Sequence, residues 1–316
     1  MLFWYYWVML NHPGQQRKTA VFAIIICVFI WGFSFISIKL AVAVFPPMTL
    51  GAVRFAMAVI MLFVIYFLSQ RRSGGKNLLQ YVKEDLPLLV CSGLAGITFY
   101  FFGENNGVAL VTASEASIIV AAIPVLTMIA DWAVSKLNSK EGSLGWRHWL
   151  GAFVSMAGVV LVAGVSLSLS GSIKGYLFMG LAALCWVCYG LFTRPLLARK
   201  RPRIYVVFWQ SLFGFLGFLP FAFMERAAWI LPSLSVFLHV LFLGICCSAL
   251  GYWLYAHTLE VLGMSVTAVF INLIPVITVI AGFFILGERL YILQCMGALL
   301  VIGGVYLTML PKRRGL

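Results

Sequence analysis

Trp31 and Ser34 stand three residues apart in one long apolar stretch, and Trp186 and Tyr189 stand three apart in another. Residues at that spacing share one face of a helix. Tyr100, Tyr252 and Tyr255 add phenols at mid-stretch positions, Gln210 adds an amide, and Asn272 lies one turn before Pro275. A proline within a helix removes one backbone hydrogen bond and frees a carbonyl, so Asn272 sits where a polar partner is useful. This set suits binding rather than bond-breaking. Aromatic walls with a few polar handles fit amphipathic small molecules, and ring faces can also hold cations. Lys39 and Arg54 fall at or within the first two apolar stretches. Arg54 can grip a carboxylate bidentately or pair with Glu104 or Glu115. Asp131, beside Trp132, reads as an interfacial carboxylate, and His239 and His257 read as hydrogen-bonded neutral imidazoles. No convergent His/Asp/Glu set or ligand-spaced cluster is present, so no catalytic residue, metal or cofactor is predicted. All seven cysteines lie in apolar stretches and read as small core-filling thiols.

The elements that must carry these residues are membrane helices. The chain has 316 residues, of which 63% are hydrophobic and only 10% charged. Soluble domains carry roughly 25% charged residues, so the fold class is an all-α integral membrane protein. Apolar stretches long enough to span are read at 19–40, 49–69, 86–103 (running on towards Val108), 113–135 and 148–165. A second set follows at 175–197, 204–224, 233–258, 265–286 and 291–310. That gives ten transmembrane helices. Residues 1–18 form an N-terminal segment, whose first ten residues read as an interfacial tail or a misplaced start. Residues 166–174 form a Ser/Gly-rich linker, and 311–316 a basic tail.

The two sets of five repeat one another. Ile123–Ala130 and Ile274–Ala281 share six of eight residues, including Pro124 and Pro275. Trp31, Lys39 and Pro47 line up with Trp186, Arg194 and Pro202 at one common offset. Gly151, Gly158 and their neighbours match Gly297 and Gly304. Those glycines read first as close packing within the chain and second as a dimer face. Lysine and arginine crowd the loops of one side, while the other side holds only Lys174, Arg226 and Arg289. The positive-inside rule then places both termini in the cytoplasm. An odd number of spans per copy makes the duplication inverted. Cations spread over short loops facing one leaflet do not form a nucleic-acid surface, despite a net charge of +13. The expected partners are a small solute and membrane lipids.

These residues resemble the EamA-type members of the drug/metabolite transporter superfamily. The resemblance covers Thr19 to Leu310. It is carried by Trp31-Gly32 with Ser34 and Lys39, by Arg54-Phe55, by the two Pro-Val strings, and by Gly287-Glu288. One departure is Ser135-Lys136 where the first copy lacks the Gly-Glu. The resemblance implies a pseudo-symmetric bundle around a central cavity, with the fifth and tenth helices peripheral. It implies movement of small metabolites, often amino acids and often outward, across the bacterial cytoplasmic membrane. Pro124 and Pro275 would bend the fourth and ninth helices as hinges of alternating access. The alternative reading is a lipid or lipid-linked-sugar flippase, and a membrane-embedded enzyme stands behind both.

Overall fold

The computed structural model describes residues 13–72, 81–108, 110–111, 119–137, 145–163, 172–286 and 291–310. Met1–Leu10, Glu115, Gly287-Glu288 and the basic tail lie outside them, as does the side chain of Lys39. The described chain runs α1 (Pro13–Val42), α2 (Pro47–Arg72), α3 (Val82–Val108), α4 (Ile123–Leu137) and α5 (Trp146–Ala163). It continues with α6 (Ile173–Ala198), α7 (Arg203–Met224) and α8 (Leu234–Leu262). The last helices are α9, in two pieces (Met264–Ile271 and Leu273–Leu286), and α10 (Ile292–Met309). Among the described residues, eight helices are long and apolar enough to cross a membrane, and α5 is a shorter apolar helix. Ordinary lipid-facing side chains cover the outside, such as Phe22, Ile60 and Leu299.

The predicted bends take a particular form. Pro124 is the second residue of α4, after a turn at Ala121 and Ala122, and Pro275 is the third residue of the second piece of α9, after an interruption at Asn272. Each proline thus sits in the first turn of a new helical piece, where no intrahelical donor is missed. The helices are interrupted there rather than curved through the proline.

Helices α5 and α10 pack chiefly on each other. A Cβ added at Gly158 would lie 2.7 Å from the Gly297 carbonyl oxygen and 2.6 Å from the Val301 nitrogen. At Gly304 it would meet the Gly151 carbonyl at 2.5 Å. The matched glycines therefore serve close packing within the chain. Gly158→Val is expected to force the pair apart and to cost about 1–3 kcal/mol, read as a lowered melting temperature in detergent. An unchanged melting temperature would show that the pair yields freely.

At the end bearing the basic loops, charged side chains tie helix ends together. Asp85 is fully buried and receives hydrogen bonds from Arg199 (2.5 Å), Arg201 (2.8 Å) and the Tyr205 hydroxyl (3.1 Å). Partial burial opposes the charge of Arg201, but Asp85 and Glu84 outweigh it and hold its pKa above the ordinary value. Asp131, expected at an interface, is ion-paired with Arg194 and accepts from Ser265 at 2.8 Å, joining α4, α6 and α9. At the opposite end, the Glu225 carboxylate accepts from the Thr49 N–H at 2.7 Å and the Met48 N–H at 3.2 Å. That places an anion on the N-terminus of α2, where the helix dipole favours it.

Candidate functional site

Six of the predicted residues meet in one cluster. Trp31 from α1, Tyr100 from α3, Trp186 and Tyr189 from α6, and Tyr252 and Tyr255 from α8 pack ring against ring. Trp186 is at the centre, with ring centroids at 5.0 Å from Tyr100, 5.1 Å from Tyr255, 5.4 Å from Tyr189 and 5.5 Å from Trp31. Phe55 and Phe101 extend the cluster through Tyr252 and Tyr100. The interplanar angles are mostly steep, the edge-to-face geometry that aromatic quadrupoles favour.

Five of the six rings commit polar atoms to specific partners, whereas the buried Tyr189 hydroxyl has none among the described residues. The Trp186 indole N–H donates to the Tyr255 hydroxyl at 3.1 Å. The Trp31 N–H donates to the Cys247 carbonyl at 3.0 Å, and the Tyr252 hydroxyl donates to the Gly96 carbonyl at 2.8 Å. Both acceptors lie in π-helical segments, Leu94–Phe99 of α3 and Leu243–Leu250 of α8. A π turn widens the helix and leaves a backbone carbonyl free for an outside donor. Lipid offers none, so the ring donors fill the need. The spacing that separates Pro124 from Pro275 also separates Gly96 from Cys247. The two acceptors are therefore matched positions of the repeat, each bonded by an aromatic residue of the other copy.

Two glycines make room for the rings. A Cβ at Gly251 would lie 2.5 Å from the Trp31 indole nitrogen, and one at Gly96 would lie 2.3 Å from the Tyr189 ring. The π segments and these glycines were missed in the sequence. The run Gly93, Gly96, Gly103 in α3 and the pair Gly244, Gly251 in α8 are the available signal.

Other predicted residues lie apart from the rings. Ser34 donates to the Trp31 carbonyl of its own helix at 2.7 Å. Gln210 is buried between α3 and α6, donating to Ser92 and Thr193, each at 2.8 Å. Asn272 is buried and donates to Ser155 of α5 at 2.8 Å, so its amide ties α9 to α5. Arg54 is 4% exposed and does not form the expected ion pair with Glu104. Its Nε donates to Ser248 at 2.9 Å and its guanidinium lies 4.5 Å from the Phe101 ring centre. Glu104 instead accepts from Tyr100 at 2.8 Å. His239 is hydrogen-bonded with Ser37, and His257 with Arg203 and Thr19. Among the described residues no cluster of three metal-ligating side chains occurs.

The rings fill the middle of the bundle instead of lining the open chamber that the resemblance implies, because their centroids approach to 5–6 Å. Open space lies nearer the basic end. A cavity of about 530 Å³ there is lined by Gln16, Arg17, Arg203, His257 and Glu260. His257 is two residues beyond Tyr255 on α8, and none of the six rings lines this cavity.

Comparison with known proteins gives the arrangement its context. The EamA-like transporter family matches the chain twice, over residues 18–164 and 173–310. The chain is 26% identical to the "Uncharacterized transporter YdfC" of Bacillus subtilis, covering 90% of this chain and 89% of that one. It is also 26% identical to a "Probable amino-acid metabolite efflux pump" of Salmonella typhimurium, covering 95% and 97%. A protein of known crystal structure shares the fold at a TM-score of 0.75 and 19% identity, over 94% of this chain and 99% of that one. With two copies of the domain accounting for nearly all of its length, the chain belongs to the EamA-like transporter family.

Proposed function

We propose that this protein is a secondary transporter that exports small amino-acid-like metabolites by alternating access, with the aromatic cluster as its substrate seat. The observation that carries this reading is the reciprocal bonding of Trp31 and Tyr252 to matched π-segment carbonyls of the opposite copy. Those bonds sit where the two copies meet, and each can be exchanged for a bond to a solute. In the proposal ten helices cross the bacterial cytoplasmic membrane, the copies are inverted, and both termini are cytoplasmic. The cavity beside His257 then opens to the cytoplasm, the side from which an exporter loads. The rings occupy the seat in this conformation, so substrate must part them. Rocking of one copy against the other about Pro124 and Pro275 would do so.

Gln210, Ser34 and Asn272 support the seat at greater distance. Amphipathic amino acids suit it, because an apolar side chain can replace ring–ring contact while the charged end takes the polar atoms. The amino-acid assignment draws on the Salmonella typhimurium relative's name as well as on this chemistry.

The test is uptake into and release from proteoliposomes of a labelled amino-acid panel, with and without a pH gradient. At least one amphipathic amino acid is expected to move faster than through empty liposomes. Flux equal to that of empty liposomes for the whole panel would overturn the substrate class.

A further inference from the structure

A second open space shares Arg203 and Glu260 with the first. It is a groove of about 870 Å³ between α2, α7 and α8. Its walls are apolar and include Met61 and Ile65 of α2 and Leu250 and Trp253 of α8. Ile65 is 41% exposed, so this wall looks outward. Lys200, on the connection from α6 to α7, and Arg203, the first residue of α7, stand at its rim. We propose that this groove seats one anionic phospholipid, with its phosphate at Lys200 and Arg203 and an acyl chain along the α2–α8 wall.

Three features argue for that occupant. The first is charge. Arg201, the third cation at the rim, is spent on Glu84 and Asp85, and Arg203 lies 3.6 Å from Glu260. Lys200 is exposed, so the mouth keeps an excess of positive charge. Basic pockets between membrane helices at one leaflet bind anionic head groups.

The second is the backbone at Lys200. Its φ is +56°, and its N–H closes the end of α6 on the Leu197 carbonyl at 3.0 Å. Glycine is favoured at such a left-handed cap, because a Cβ is strained there. Lysine at this position trades conformational ease for an ammonium at the groove mouth.

The third is the wall below the cations. A free phosphate would leave Met61, Ile65 and Leu250 uncovered. An acyl chain covers them and arrives from the bilayer already beside them. Trp253 lies under this junction, with the Arg203 guanidinium 5.7 Å from its ring centre. Its amphipathic ring suits head-group depth. Tyr252, its neighbour in sequence, belongs to the ring cluster, so one helix serves two separate sites.

Native mass spectrometry of the full chain with equimolar phosphatidylglycerol and phosphatidylcholine of identical chains tests the proposal. One phosphatidylglycerol should be retained in preference. Lys200→Gly removes the charge and relieves the backbone, and is expected to lower that retention at least threefold with no fall in melting temperature. Ile65→Trp fills the groove while keeping every charge, and should lower retention of both lipids. Lys174→Ala, at the other end of α6, should change nothing. Glycerol 3-phosphate at equal concentration should not displace the lipid. Equal retention of the two lipids, wild-type retention by Lys200→Gly, or displacement by glycerol 3-phosphate would each overturn the seat.

Discussion

Trp186→Ala is expected to abolish transport and to lower stability by about 3–5 kcal/mol, whereas Trp186→Phe keeps most of the stability and loses most of the flux. Trp186 is 5% exposed and touches five other rings, so truncation opens a cavity at the crossing of α1, α3, α6 and α8. Phenylalanine refills much of that volume. It cannot donate to Tyr255, whose hydroxyl then lacks the 3.1 Å partner seen here. A stranded buried hydroxyl costs about 1–3 kcal/mol, and the Tyr255 ring is free to turn. Flux through proteoliposomes should fall more than tenfold for Phe, with a melting temperature only modestly lowered. Tyr255→Phe should then act like Trp186→Phe, since either change breaks the same bond, and the double variant should be little worse than either single one. Parental flux in Trp186→Ala would remove the ring cluster from the transport path.

The ring cluster was legible in the sequence because its members obey ordinary helical spacing. Trp186 with Tyr189 and Tyr252 with Tyr255 each repeat at three residues, and these and Trp31 lie within helices; Ser34, three residues from Trp31, shares the spacing but turns to its own backbone. Most helix limits were legible too, since long apolar runs leave little choice, but α1 begins at Pro13 rather than 19, and the start read at 113 lies outside the described residues. What could not be read is direction around the helix wherever the repeat departs from 3.6 residues per turn. The π segments rotate the residues that follow them, so that Cys247 and Tyr252 serve different neighbours from those a regular helix would give them. Asn272 shows the same limit from another side. Its depth one turn before Pro275 was evident, but the interruption there turns its amide to Ser155 on α5. Arg54 and Glu104 were matched as opposite charges at similar depth. In the fold Tyr100 takes the carboxylate from its own helix, one turn away, and Ser248 takes the guanidinium. Proximity within a helix outcompetes a pairing that sequence can suggest only by sign.

Arg54 carries the second large expected effect, and its sign separates a working residue from a structural one. An arginine within a membrane helix costs up to about 2.5–3.5 kcal/mol on insertion scales, the full figure applying at the centre. Here it is 4% exposed, and among the described residues it has no ion-pair partner. It keeps one hydrogen bond to Ser248 and lies over Phe101. A group so weakly compensated adds little to stability, since apolar replacements of buried charges are often neutral or stabilising. Arg54→Leu is therefore expected to melt at or above the parental temperature. Its flux should nonetheless fall more than tenfold for carboxylate-bearing substrates, because the guanidinium flanks the ring cluster through Phe101 and Phe55. Arg54→Lys should recover little, as an ammonium lacks the planar fork and the stacking. Ser248→Ala keeps the charge but strands its Nε donor, and should lower stability by about 1–3 kcal/mol. Should Arg54→Leu lose stability and flux in proportion, the guanidinium is a strut between α2 and α8. Should it lose flux alone, the cation is held there for the substrate's carboxylate.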